Sequence, residues 1–569
     1  MSSTSLLGAC APSSFRHPPL PGAEILSVSA VPVSGYSASV PARTRTNEPD
    51  AEVRAASFCN VTVTYTHPGQ GDEVNVEAWL PVALPPDQDS ENSSSTNDDD
   101  RSVYNGRMHA FGGGGWAGGR AEQAISQMAA AVADGYAALT TDTGTGHGDA
   151  LNASWGLLSP GNVDLFALQN MGSVALNDAS VIGKAIVQDF YGRAPEYSYF
   201  TGCSHGGRQG LALAQRYPSA YDGITAGAPA IDWTMLLSSL YWPNQVLNDL
   251  ARSGGGGPSS LSPSPPHMCE LDVLAQAART ECDPLDGVTD GIVADPDACR
   301  AFFDPHALVG RPCTVGNDTS SSPAVVTESA VLLVEAIWNG TRTVDGRGDY
   351  PGLSPASDLT ASRPDSIGLL PLVSTTCSGP SPSPEGGNSS SNCVADLMPL
   401  GEQWVRYFLA KDADADLAAL THAQFDDLVH RGKQEFSSVM DTLDVNLDDF
   451  GRAGSKMLTF HGTDDSLIPH KRTSSYYAAV LDRNPDVRDY YRYFEIPGMN
   501  HCHGGTGQPD QIFNQLRAWV ENGTVPDTTP YEITGLNRNT ERRIACPYPS
   551  KARLGACHDQ ARAECWSCL

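Results

Sequence analysis

No stretch of the chain approaches the roughly 18 uninterrupted apolar residues that a membrane-spanning helix requires, so no span and no membrane partner is expected. Positive charge is scarce. Lys and Arg number 36 against 66 Asp and Glu, a formal net charge of −30, and no basic run offsets the excess. Phosphate backbones repel such a surface, which argues against a nucleic-acid partner. Met1–Arg16 has neither a basic n-region nor an apolar h-region, so no signal peptide is visible in this chain. There is no internal repeat.

What is present points the other way from a cytoplasmic protein. Fourteen cysteines and Asn-x-Ser/Thr sequons at Asn60, Asn92, Asn152, Asn317, Asn339, Asn388 and Asn522 suggest an oxidising, secreted setting. Chance sequons in a Ser/Thr-rich chain are the competing explanation. The 55 glycines and 41 prolines indicate a loop-rich globular protein. A length of 569 residues fits three or four ordinary domains, or one enlarged enzyme domain with an insertion.

Loop tracts are expected at Asp87–Arg101, Ser253–Pro266 and Ser374–Ser391. Between them strand and helix patterns alternate. Strands are predicted at Met108–Phe111, Ala137–Thr140, Tyr197–Thr201, Lys456–Phe460 and Tyr491–Ile496. Helices are predicted at Glu122–Ala133, Val181–Phe190, Arg208–Arg216 and Gln511–Glu521. This alternation implies an α/β fold with a mostly parallel sheet covered on both faces. Residues 233–433 break the rhythm with linkers, prolines and six cysteines. They read as an inserted lid on a discontinuous core formed by residues 1–232 and 434–569.

Gly202-Cys203-Ser204-His205-Gly206 fits G-x-S-x-G, with a strand before it and Gly206-Gly207 opening a helix. A sharp strand-to-helix turn needs small residues on both sides and lifts the serine hydroxyl out of the sheet. A serine nucleophile needs a base, and the base needs an orienting carboxylate, in the chain order Ser…Asp…His for this fold. His461-Gly462-Thr463-Asp464-Asp465 follows a predicted strand and offers two carboxylates. Pro497-Gly498-Met499-Asn500-His501-Cys502-His503-Gly504-Gly505 follows another and offers the histidine on a glycine-rich loop. One oxyanion donor is expected from the His205 N–H and a second from Gly114 or Gly115 in the Gly112–Gly119 run. Two rival motifs are poor. No Gly-Lys-Ser/Thr follows the glycine run, as a phosphate loop requires. In His501-Cys502-His503 adjacent side chains diverge, unlike zinc ligands.

Together Gly202-Cys203-Ser204-x-Gly206-Gly207-Arg208-Gln209-Gly210, His461-Gly462-x-x-Asp465-x-x-Ile468 and Pro497-Gly498-Met499-x-His501-Cys502-x-Gly504-Gly505 resemble the tannase and feruloyl esterase family of secreted microbial serine esterases. The resemblance runs from the Asn105–Gly119 segment to about Cys568 and implies an α/β-hydrolase core. It makes Ser204 the nucleophile, Asp465 rather than Asp464 the orienter and His501 the base. His205 departs from the family, where threonine is commoner. A Cys203–Cys502 disulfide is expected, because each cysteine adjoins a catalytic residue and the family has such a bridge.

Cys282–Ile292 carries three carboxylates and two glycines within a short loop. Hard cations favour such oxygen-rich turns, although a solvated acidic turn fits the spacing equally well. In the family this segment binds a structural Ca2+. The resemblance implies the side chains of Asp283, Asp286 and Asp290 and the carbonyls of Val288 and Ile292 as ligands, with a Cys282–Cys299 staple. Cys10–Cys59, Cys377–Cys393 and Cys546–Cys568 are further candidate pairs. Cys269, Cys313, Cys557 and Cys565 remain unassigned.

The expected function is that of a secreted carboxylic ester hydrolase acting on phenolic-acid esters, feruloyl first and galloyl (tannase) as the alternative. Trp233, Tyr241 and Trp242 are candidates for its aromatic pocket. A catalytically inactive binding protein of the same fold is the rival from another class, and a peptidase or acyltransferase using the same triad is a third. Sequence leaves the acyl group, the glycan occupancy and the oligomeric state open.

Overall fold

The computed structural model describes residues 8–46, 48–82, 104–146, 148–253, 265–314, 324–366, 370–378, 392–505, 507–534, 540–557 and 559–569. The loop expected at Asp87–Arg101, the sequons at Asn92, Asn317 and Asn388, and most of the Ser253–Pro266 and Ser374–Ser391 tracts lie outside these residues.

Among the described residues nine strands form one sheet: β1 (Glu24–Val40), β2 (Ala51–Thr66), β3 (Val74–Pro81), β4 (Arg107–Phe111), β5 (Ala137–Thr141), β6 (Tyr197–Cys203), β7 (Gly223–Gly227), β8 (Lys456–Gly462) and β9 (Tyr491–Ile496). Their order is β1-β2-β3-β5-β4-β6-β7-β8-β9. The pairs from β5 to β9 are parallel, and those from β1 through β3 to β5 are antiparallel. Helices cover both faces of the parallel half, so β5 and β7 are buried at every position. That burial explains their short runs of small and apolar residues without alternation.

The helices begin and end where local chemistry allows. Helix α1 (Glu122–Ala133) is alanine-rich with Glu122 in its first turn, and α2 (Ala175–Tyr191) stops at Gly192 in the left-handed region (φ +75°). Helix α3 (His205–Arg216) starts directly after Ser204 at the carboxyl end of β6. In an open α/β sheet that end is where ligands bind.

Among the described residues, the segment between β7 and β8 adds no strand to the central sheet. Its main helices are α4 (Trp233–Ser253), α5 (Met268–Cys282), α6 (Glu328–Asn339) and α7 (His422–Met440). Trp233, Leu240, Val334, Trp404, Phe408 and Phe436 from this insertion share one apolar cluster with Trp116, Leu168 and Met171 from the sheet side. Helix α7 runs through the 433/434 boundary expected from sequence. Phe425, Leu428, Phe436 and Met440 are all buried on it, so the same apolar face carries the insertion on to Met440.

Seven disulfides form among the described residues, and no described cysteine is free. They include Cys203–Cys502, Cys282–Cys299, Cys10–Cys59, Cys377–Cys393 and Cys546–Cys568. The cysteines that sequence left over pair as Cys269–Cys313 and Cys557–Cys565. No helix among the described residues is long and apolar enough to cross a membrane.

Candidate active site

Ser204 sits between β6 and α3 with φ 63° and ψ −121°, a conformation disfavoured for any residue with a Cβ. The elbow is held by backbone bonds. The Ser204 N–H donates to Gly227 O at 3.0 Å, and Ser204 O accepts from Arg208 N at 3.0 Å and Ala230 N at 3.1 Å. Its glycines are steric requirements. A Cβ on Gly202 would come within 2.5 Å of the Gly206 backbone, and one on Gly206 within 2.8 Å of Gly113 O. The motif therefore reflects one close approach within the turn and one crossing by the Gly112–Gly119 run, both too close for any larger residue.

Beside the elbow, the glycine run turns back on itself. Gly113 N–H is committed to the Gln209 side chain at 3.0 Å, and Gln209 Nε2 donates to Gly118 O at 2.7 Å. Gly114 pairs with Ala117 in an isolated antiparallel bridge. Gly115 takes a left-handed φ of 54°, and a Cβ there would lie 2.3 Å from Ala150 O. Neither the Gly115 nor the His205 N–H has an acceptor among the described residues. The bond in the Gly114–Ala117 bridge runs from Ala117 N–H to Gly114 O at 3.0 Å, so the Gly114 N–H is also without an acceptor among the described residues and both glycines stay available as donors.

The acid and base loops meet behind the serine. Asp465 Oδ2 accepts from His501 Nδ1 at 2.8 Å, and Asp465 Oδ1 accepts the N–H groups of Leu467 and Ile468 at 2.9 and 2.8 Å. Burial alone would push the Asp465 carboxyl up. The charge of His501 and hydrogen bonds from two imidazoles outweigh it and hold the group well below the usual carboxylate range. Asp464 turns away to Arg279 of α5, at 3.3 Å. His501 is 8% exposed, the more open of the two histidines that touch Asp465. The Cys203–Cys502 bridge, with Cα atoms 5.9 Å apart, ties its loop to the elbow. Ser204 Oγ makes no hydrogen bond to His501 among the described residues. Nucleophile–base contacts are commonly long before substrate arrives.

The insertion grips both loops. Ser357 Oγ donates to Asp465 O at 3.1 Å. Asn500 Oδ1 accepts from Ser466 N and His501 N at 3.1 and 2.8 Å, while Asn500 Nδ2 donates to Ser366 Oγ at 3.3 Å. Ser366 in turn donates to Asp358 at 2.6 Å. The sequence carried no signal for Ser357 or Ser366, whose contacts with the acid and base loops cross more than 100 residues, and Asn500 stood in the base motif with no role assigned to it. His461 was visible in the acid motif but had no role there. In the structure it is fully buried, with Nε2 3.1 Å from Asp465 Oδ2.

None of the three aromatic candidates lines an open pocket: Trp233, Tyr241 and Trp242 are all buried in one apolar cluster. The Trp233 ring lies 4.9 Å from that of His205. Tyr241 Oη donates to Leu417 O and Trp242 Nε1 to Ala336 O, and both rings pack on Phe425. Burial, followed by the nearby Arg208 charge, lowers the His205 imidazole well below its ordinary value. Arg208 donates to the carbonyls of Gly172, Met440 and Met171, and burial pushes it down to about 9.

A model of the family described as tannase and feruloyl esterase matches residues 100–569. The chain belongs to that family. It is a carboxylic ester hydrolase. Over 565 residues it is 32% identical to a probable feruloyl esterase of Arthroderma benhamiae, covering 98% of this chain and 93% of the relative. It is also 32% identical over 481 residues to the mono(2-hydroxyethyl) terephthalate hydrolase of Piscinibacter sakaiensis, covering 79% of this chain and 77% of that enzyme. The tannin acyl hydrolase of Aspergillus niger superposes with a TM-score of 0.77 at 25% identity, over 100% of this chain and 94% of its own.

Within this family fold, the acidic loop of the insertion has the donor chemistry of a Ca2+ site. Asp283 and Asp290 are buried, Gly287 and Gly291 take φ values of 90° and 85°, and no hydrogen bond from the described residues reaches the Val288 or Ile292 carbonyl. Burial and the charge of Asp283 push the Asp286 and Asp290 carboxyls up, although hydrogen bonds pull the other way. A bound cation would relieve that strain on the charged forms. The three carboxylates do not converge within 4.8 Å of one another, and Asp290 Oδ2 accepts from Arg543 at 3.1 Å.

Proposed function

We propose that this chain is an extracellular serine esterase that hydrolyses phenolic-acid esters, with feruloyl esters as the preferred class and galloyl esters as the second reading. The observation that carries the proposal is the 2.8 Å His501–Asp465 contact on a loop disulfide-tied to the strained Ser204 elbow. The feruloyl preference draws its support from the 32% relative that spans nearly the whole chain. The galloyl alternative draws its support from the likeness to a tannin acyl hydrolase. The seven disulfides support the extracellular setting.

In this reading His501 takes the Ser204 proton as the hydroxyl attacks the ester carbonyl. The tetrahedral oxyanion is met by the N–H of His205 and that of Gly115 or Gly114. His501 then protonates the leaving alcohol. Water, deprotonated by the same histidine, releases the acid from Ser204. Asp465 fixes the imidazole with its proton on Nδ1 and stabilises the imidazolium. Asp283, Asp286 and Asp290, with the Val288 and Ile292 carbonyls, would hold a structural Ca2+ remote from the bond being cleaved.

Initial rates on methyl ferulate and methyl gallate, with Ser204→Ala as the blank, test the proposal. Ferulate turnover well above gallate supports the first reading, and the reverse supports the second. Ester binding without turnover above the blank would make the chain an inactive binding protein and overturn both.

A further inference from the structure

Asp465 carries more than a triad acid needs. Its four hydrogen bonds use both oxygens. Two backbone N–H groups hold Oδ1, and two imidazoles share Oδ2, His501 Nδ1 at 2.8 Å and His461 Nε2 at 3.1 Å. A carboxylate has about four lone-pair directions, so this one is saturated.

The surroundings of His461 fix its proton. Nε2 lies between two acceptors, Asp465 Oδ2 and Ile468 O at 3.0 Å, so it must carry a hydrogen. Nδ1 lies 2.9 Å from Thr473 Oγ1, whose hydroxyl reaches no other acceptor among the described residues. The hydroxyl therefore donates to Nδ1, and the ring is neutral with its proton on Nε2. With both nitrogens engaged and no exposure, His461 is unable to serve as the base. That leaves His501 as the histidine with a ring nitrogen free to face Ser204.

We propose that His461 is a positioning residue for ester hydrolysis, a second, neutral imidazole that clamps the Asp465 oxygen on which His501 turns. The Thr473 hydroxyl sets its tautomer. This rests on Ser204, His501 and Asp465 acting as proposed above. The clamp reaches the reaction only through Asp465. It keeps Oδ2 aimed at His501 while the imidazole gains and loses its proton, and it does not touch the ester. Loss of the clamp therefore slows turnover without weakening substrate binding.

The test compares His461→Leu with His461→Gln, whose amide can still donate to Asp465, on the better of the two methyl esters. For His461→Leu, kcat is expected to fall about tenfold to a hundredfold, in line with the cost of small misplacements, with KM within about twofold. His461→Gln is expected to recover most of the loss. Unchanged kcat in His461→Leu, or equal losses in the two variants, overturns the proposal. Since Leu at this buried position can also prevent folding, ring-nitrogen NMR of the wild-type protein with labelled histidines supplies a second readout, the His461 signals being those absent from His461→Gln. A ring protonated on Nε2 and not on Nδ1 is expected. A proton on Nδ1 overturns the proposal. If wild type hydrolyses neither ester while the NMR result holds, the proposed function has failed and the hydrogen-bond assignment has not.

Discussion

At the scale of single residues, the site combines one strained backbone with one saturated carboxylate. Ser204 holds a positive φ because Gly202 and Gly206 let chain segments approach it closely. Asp465 stays ionised because two imidazoles and two backbone donors outweigh its burial. Asp465→Asn should leave the fold in place but present an N–H or a weaker acceptor to His501. The imidazole would then settle in the wrong tautomer, and kcat should drop by about 10⁴-fold. A loss below about tenfold in steady-state rates would mean that Asp465 does not orient the base. Ser204, Asp465 and His501 stood out in sequence because sterics and chemistry confine such residues to short motifs at strand ends, and the structure brings Asp465 and His501 into contact. His461 stood in one of those motifs, yet its role depends on Thr473 and Ile468 approaching after folding. Trp233, Tyr241 and Trp242 were misread for a related reason, since an aromatic residue looks the same in sequence whether it fills a core or lines a pocket.

At the scale of elements, the parallel strands were legible and the antiparallel extension was not. The strands at Lys456–Gly462 and Tyr491–Ile496 are buried and abruptly bounded. Strand β1 is a long, mostly exposed edge that contains Pro32 and Gly35, which weaken any strand reading. The junction where the insertion returns to the core makes a pH prediction. Asp441, just after α7, accepts from Thr234 N at 2.9 Å. Burial, and then the charge of Asp232, raise its carboxyl from 3.8 to about 6, against opposing hydrogen bonds from Thr234 and Ser437. The folded state thus binds this proton more tightly than the unfolded state, and stability falls as pH rises from about 4 to about 6. Asp441→Asn should remove that component. Urea unfolding of both proteins at pH 4 and pH 7 should show wild type losing up to about 3 kcal/mol relative to the variant. Parallel curves would contradict the assignment. The acidic loop makes a second prediction. Chelation with EDTA should lower Tm, and added Ca2+ should restore it. An unchanged Tm with no metal found by elemental analysis would remove calcium from the account.

At the scale of the whole molecule, the insertion and the sheet behave as one body around the reaction centre. Trp116 and Met171 share a core with Trp233, Trp404 and Phe436, and Ser357 and Ser366 reach the acid and base loops directly. Helix α7 carries one buried face through residue 433 to Met440 without a break. The Cys203–Cys502 bridge closes a loop of 299 residues across this assembly. Its loss should cost about 3–5 kcal/mol. The Cys203→Ala/Cys502→Ala protein should melt earlier than wild type and lose turnover even at temperatures where it is folded. Full activity in the folded double variant would mean that the bridge does not hold the base loop in register.

The central claim is that Ser204 carries the acyl group during turnover. The most direct measurement is rapid acid quench of wild type with excess methyl ferulate, followed by intact mass and peptide mapping. The account predicts a feruloyl adduct on the peptide containing Ser204, absent in Ser204→Ala. An adduct on another residue, or undiminished ester turnover by Ser204→Ala, would contradict it.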